Sequence, residues 1–256
     1  MITVALAVFL LAACEARQQA APPVTGSSAT PSSPTDDTAV VAVTALGKPI
    51  TYRNVRCQPE FRADPQKCRE VEQTKLAMRL LPRAIDEGAA MNGIELSDSE
   101  KASIEAKVAA AAPHDRQAAD VLRAAIAAAA RVHAGEPRAR VAADAATAGV
   151  GAVMLDQMVS EYRSEAEARA ALNRDYFTGL QLSLRENLTR ELIAPRLRAF
   201  IEKRATTTGT TYAESEARLW RELAASGRIR ITDKRYQLPN FTGALEPNEI
   251  TIEVPR

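Results

Sequence analysis

Aromatic residues make up only 4% of this 256-residue chain, which holds one tryptophan, Trp220, two histidines and three cysteines. With so few rings, each helix buries little area per residue, and the core must rest on scattered Leu, Ile, Val and Met. A metal site drawing on cysteines would need further ligands, and His114 and His133 stand far along the chain from any cysteine. An excess of one charge sign is missing too. Lys and Arg number 33 against 32 Asp and Glu, a net charge of +1, which removes the electrostatic case for a nucleic-acid binder. The apolar run at residues 1–13 falls short of the roughly 20 residues that cross a bilayer as a helix. What is present is ordinary for a globular protein: 46% hydrophobic residues, many of them alanine, and 25% charged residues.

The N-terminal "MITVALAVFLLAAC" has the length of a signal-peptide apolar region and ends in "LAAC", with Cys14 after small residues. That pattern resembles the lipobox of bacterial lipoproteins, which implies that Cys14 carries a diacylglycerol and becomes the new N-terminus. The alternative is an ordinary secretory signal with a chance cysteine, and no Lys or Arg precedes the apolar run. Glu15, rather than Asp, follows the cysteine. By the enteric sorting pattern this implies the outer membrane rather than the inner, on its periplasmic face. Residues 14–38 are rich in Pro, Ser, Thr, Ala and Gln. They hold too little apolar surface to fold and read as a tether with a reach of roughly 25–30 Å. Residues 39–256 form the expected folded domain.

The other two cysteines bracket "CQPEFRADPQKC", Cys57 to Cys68. In an exported chain this pair points to a disulfide, worth about 3 kcal/mol in the chain-entropy view. A metal pair or two free thiols are the alternatives.

Along the folded part, Val40, Val41 and Val43 read as a strand, Gly47 and Pro49 as a turn, and Ile50 as a second short strand. Thr51 caps a helix from Tyr52, which the Cys57–Cys68 loop interrupts until about Arg69. Leu76, Leu80, Leu81, Ala84 and Ile85 follow at helical spacing, with Pro82 predicting a kink or a split. Gly93 ends that helix, and Ser97 with Glu100 opens another as a capping box. An Ala-rich helix spans about 115–132, a break falls at Gly135 and Pro137, and one helix runs on to about Tyr162. Ser164 and Glu167 repeat the capping pattern. A long amphipathic helix follows, with Leu184, Leu188, Leu192, Leu197, Phe200 and Ile201 on its apolar side and a bend at Pro195. Thr211 and Glu214 start a last helix with Leu219, Trp220 and Leu223. Ile229 and Ile231 alternate with basic residues as a half-buried strand, and residues 249–254 read as one more.

This order resembles the N-terminal chaperone module of the SurA and PrsA type of periplasmic foldases. The resemblance rests on "VVAVTALGKPIT", on the helix that leads into "GIELSDSE" (Gly93, Ile94, Leu96, Ser97, Asp98, Glu100), and on the returning "GRIRIT". It implies a mostly α, multi-helix chaperone-like domain with a small β-sheet formed by the N-terminal strand pair and a C-terminal strand, residues 228–237 pairing with 40–51. The Cys57–Cys68 insertion and Pro82 depart from the family pattern. Residues 109–173 are helical and Ala-rich and lack the glycine-rich strand pattern of the parvulin isomerase domain that many members carry.

The remaining motifs read as structural. His114 lacks a tied nucleophile and orienting acid, and His133 sits near a helix end. "GVGAVM" at 149–154 lacks the third glycine and downstream acid of a nucleotide loop. Glu165 and Glu167 read as a solvated face. Met78, Met91, Met154 and Met158 suit either the core or an adaptable peptide groove. The expectation is therefore a non-enzymatic, ATP-independent holdase of the bacterial envelope. It would be anchored to the membrane by lipid, bind unfolded exported or outer-membrane proteins, and need no cofactor and no nucleic acid. The alternative is an adaptor lipoprotein holding one envelope protein, and a peptidyl-prolyl isomerase stands behind both.

Overall fold

The computed structural model describes residues 37–57, 61 and 63–245. The expected signal peptide, Cys14, most of the expected tether and the expected strand at 249–254 lie outside the described residues. The fold is mostly helical with one small sheet, as expected.

β-branched residues form β1 (Val40–Thr44), the middle strand of a three-stranded antiparallel sheet of order β2-β1-β3, with β2 (Ile50–Thr51) and β3 (Ile229–Ile231) on its two sides. Ala42 lies opposite Ile50 on one edge and Ile231 on the other. A two-stranded ribbon alone is marginal in water, and the strand from the far end of the chain completes it. Of the expected 228–237, the strand ladder covers 229–231, with backbone bonds from 228, 232 and 233 extending it, and it runs along β1 and not β2. Past β3, Thr232 and Asp233 donate their N–H groups to Val41 O before the chain turns away. Gly47 shapes the β1–β2 turn: a Cβ there would meet Thr44 Oγ1 at 2.6 Å.

Thr51 opens α1 (Tyr52–Val55), and Asp64 opens α2 (Pro65–Met91) by accepting the N–H groups of Gln66 and Lys67. Asn92 and Gly93 (φ 66°) close α2. The Ser97–Glu100 box opens α3 (Asp98–His133). After α4 (Arg138–Ala146), α5 (Ala152–Glu161) and α6 (Glu165–Ala171) come α7 (Tyr176–Thr208) and α8 (Tyr212–Ala225). The Thr211–Glu214 box opens α8. Helix α7 packs on α2, α3 and α8. It runs antiparallel to α3, with Gln181 bonded to Val108 O and Arg185 forked onto Glu105. The main core joins the sheet, α1, α2, the start of α3, much of α7, α8 and residues 236–245. Two smaller, Ala-rich clusters join the far half of α3 to α4, α5 and α6.

Three expectations need correction. Pro82 does not split α2, which is continuous from Pro65 to Met91. The missing N–H removes one helical bond, but Leu80, Leu81, Ala84 and Ile85 are buried on either side and hold both halves. Pro113 likewise lies inside one continuous α3. The helix expected to reach Tyr162 is two helices, broken at Gly149 (φ 82°) with Val150 buried between them. On α7, Leu192 is 37% exposed rather than on the buried side.

Candidate functional site

Helix α8 turns Glu216, Leu219, Trp220 and Leu223 inward and leaves Ala217, Arg221 and Ala224 beside them at the edge of the core. Residues 238–242 run across this edge. Together they enclose an open groove of about 460 Å³. Trp220 and Phe241 are both buried and meet edge to face, ring centres 5.8 Å apart. They form the floor with buried Pro239, and Leu238, Ala217 and Ala224 add aliphatic walls. The volume falls within the range of about 300–1,000 Å³ usual for ligand pockets.

Residues 238–242 have no regular secondary structure, so side chains from other elements hold them. Upstream, Gln73 of α2 brackets Gln237, donating to its carbonyl at 2.7 Å and accepting its N–H at 3.3 Å. Downstream, fully buried Glu216 accepts the N–H groups of Gly243 at 2.7 Å and Leu245 at 3.4 Å. Asn240 Oδ1 accepts both the N–H and the hydroxyl of Thr242. The groove wall is thus tied at both ends and in the middle. At the rim, the Glu214 carboxylate is held below its usual range by the N–H and then the hydroxyl of Thr211. Arg221 donates to Ala217 O at 3.3 Å and enters no ion pair among the described residues.

The other buried charges brace loops. Glu72 accepts the hydroxyls of Tyr52 at 2.8 Å and Tyr236 at 2.9 Å, and the Cys57 N–H at 3.2 Å. Burial, then the bond to Glu72, pushes the Tyr52 hydroxyl up to about 12, and burial pushes Tyr236 up as well. Fully buried Glu87 accepts the Leu46 N–H and an Arg228 N–H, clasping the β1–β2 turn to the approach to β3. Glu72 is committed to two hydroxyls and a backbone N–H, and Glu87 to a backbone N–H and a guanidinium, a structural use rather than an acid–base pair facing solvent.

The residues singled out by sequence fall as follows. Cys57 and Cys68 stand at disulfide distance, Cα atoms 5.2 Å apart, joining the end of α1 to the first turn of α2. Cys14 lies outside the described residues. His114 is mostly exposed beside Asp115, and His133 bonds to Val159 O at 3.2 Å. The four methionines are not brought together. Met91 joins the main core, Met158 the two smaller clusters, and Met78 and Met154 are exposed. Glu165 pairs with Arg169 on the surface, but Glu167 is not a solvated residue: it bridges Arg53 and Arg56 of the α1 region. The groove was missed because the segment after Leu238 shows no periodicity. The available signal was Glu216, an acid on the apolar stripe of α8. Among the described residues, no helix is long and apolar enough to cross a membrane, and no cluster of His, Cys, Asp and Glu could hold a metal ion.

No protein-family model matches the chain, and neither a curated protein nor a solved structure is significantly similar to it.

Proposed function

We propose that this chain is an ATP-independent holdase of the bacterial cell envelope, tethered by a lipid on Cys14, that takes up apolar segments of unfolded exported proteins. The groove between α8 and residues 238–242 carries this reading. Its floor is aromatic, its walls are aliphatic, and its rim offers Arg221, Asn240 and Thr242 to a passing backbone. An open groove covers a client side chain only in part, so each gains less than the roughly 1.5–3 kcal/mol of a fully buried aliphatic side chain. Ordering the client segment offsets much of that gain. The balance is weak binding, which lets a client leave without nucleotide hydrolysis. The strand order of the sheet agrees with the foldase resemblance of the sequence, and in this reading the chain is a chaperone module without isomerase activity.

The test is aggregation of a denatured outer-membrane protein. The chain should slow it at near-stoichiometric ratio without ATP, and Ala217→Arg, which fills the groove, should remove the effect while the circular dichroism stays unchanged. X-Pro isomerisation, which takes tens to hundreds of seconds uncatalysed, should not be accelerated. An aggregation rate untouched at several-fold excess overturns the holdase reading in favour of an adaptor. The tether has its own test: Cys14→Ser should move the protein from the membrane fraction to the soluble one.

A further inference from the structure

A second surface lies on the outward side of α2 and the neighbouring β1–β2 turn. Positions 71, 74, 75, 78, 79, 82 and 83 of α2 and residues 45–49 of the turn contain no acidic residue. They do contain Lys48, Lys75, Arg79 and Arg83. The turn and the helix are one surface, because Arg83 Nη1 donates to Lys48 O and its Cδ would lie 3.4 Å from a Cβ at Gly47. Among the described residues, Lys48, Arg79 and Arg83 enter no ion pair, whereas most arginines elsewhere on this molecule are paired, Arg190 with Asp86 and Arg185 with Glu105 among them. Two large apolar side chains stand among these cations. Leu46 is 62% exposed on a turn whose five residues are all exposed, and Met78 is 47% exposed.

We infer that this face docks the folded body onto an anionic phospholipid surface, independently of any lipid on Cys14. The complementary partner is acidic, because Lys48 and Arg79 carry positive charge that no described carboxylate pairs, and only Arg83 has a carboxylate near enough, that of Glu186, to act on its charge. It must also accept a protruding apolar tip. A headgroup layer does both: lysine and arginine stay at the level of the phosphates while Leu46 and Met78 enter the acyl boundary. An acidic peptide would be better served by a groove, and this face is a turn tip beside a helix.

The experiment uses the chain from residue 14 onward, without the apolar run at 1–13 and carrying Cys14→Ser, sedimented with vesicles of phosphatidylcholine and phosphatidylglycerol and, in parallel, of phosphatidylcholine alone. Selective binding to the anionic vesicles, weakened by salt, is expected. Lys48→Glu with Arg79→Glu should lower that affinity at least about tenfold. Both side chains are exposed and unpaired, so the melting temperature should hold, and Lys48→Gln with Arg79→Gln should give a smaller loss in the same direction. Equal binding to neutral vesicles, or binding unchanged in both double variants, overturns the inference. So does capture of an acidic peptide through these same residues by a chain that ignores vesicles, which would make the face a peptide site.

Discussion

The fully buried carboxylate of Glu216 on α8 accepts the N–H of Gly243 at 2.7 Å, fixing the far end of the groove wall to the helix that forms its floor. Replacing it by alanine leaves the Gly243 and Leu245 donors without that acceptor. The expected cost is about 1–3 kcal/mol of stability and a larger relative loss of peptide binding. Glu216→Gln, which keeps one acceptor, should fall between. Denaturant unfolding and binding measured on the same samples check this, and unchanged unfolding in Glu216→Ala would contradict it.

Much of the frame was legible in the sequence. The capping boxes at Ser97–Glu100 and Thr211–Glu214 start helices because side chain and backbone donors are exchanged within one turn, a purely local bargain. The strand at Ile229 and Ile231 shows in its alternation. The groove wall was not legible, since residues 238–242 take their shape from Gln73 and Glu216, which are distant in sequence. A split at Pro82 was over-read for the same reason: burial on both sides of it outweighs the local loss of one bond.

The Glu72 cluster predicts alkaline lability. Burial and the bond to Glu72 raise the Tyr52 hydroxyl from its ordinary value near 10 to about 12. A raised folded-state value means that the stabilisation is fully present below the unfolded value and is lost as pH rises through the folded one. Stability should therefore fall between about pH 10 and 12. Tyr52→Phe should cost about 1–3 kcal/mol near neutrality and make the alkaline fall shallower. Identical pH profiles for the two proteins would count against the bond.

Gly88 of α2 faces side chains of both α7 and α8. A Cβ there would sit 3.4 Å from Leu197, 3.5 Å from Trp220 and 3.8 Å from Leu219, all ordinary contacts. Gly88→Ala should therefore be neutral or gain up to about 1 kcal/mol from the helix backbone. Gly88→Leu should overpack the crossing and lose about 1–3 kcal/mol. Thermal unfolding of the pair decides; an alanine variant as damaged as the leucine one would refute this packing.

Cys57 and Cys68 should be oxidised to each other in exported protein, showing a two-proton mass difference on reduction. Cys57→Ala with Cys68→Ala should lower stability by about 3 kcal/mol. Two freely alkylated thiols in native material would dispose of the pairing.

The most direct test of the holdase reading uses Trp220, the one tryptophan of the chain and the floor of the groove. An extended apolar peptide taken from an outer-membrane protein should shift its fluorescence in a saturable way. Weak affinity is expected, and Ala217→Arg, whatever its own emission, should no longer respond to the peptide. If the peptide leaves the Trp220 emission unchanged at saturating concentration, or shifts it equally in Ala217→Arg, the groove between α8 and residues 238–242 is not where clients bind.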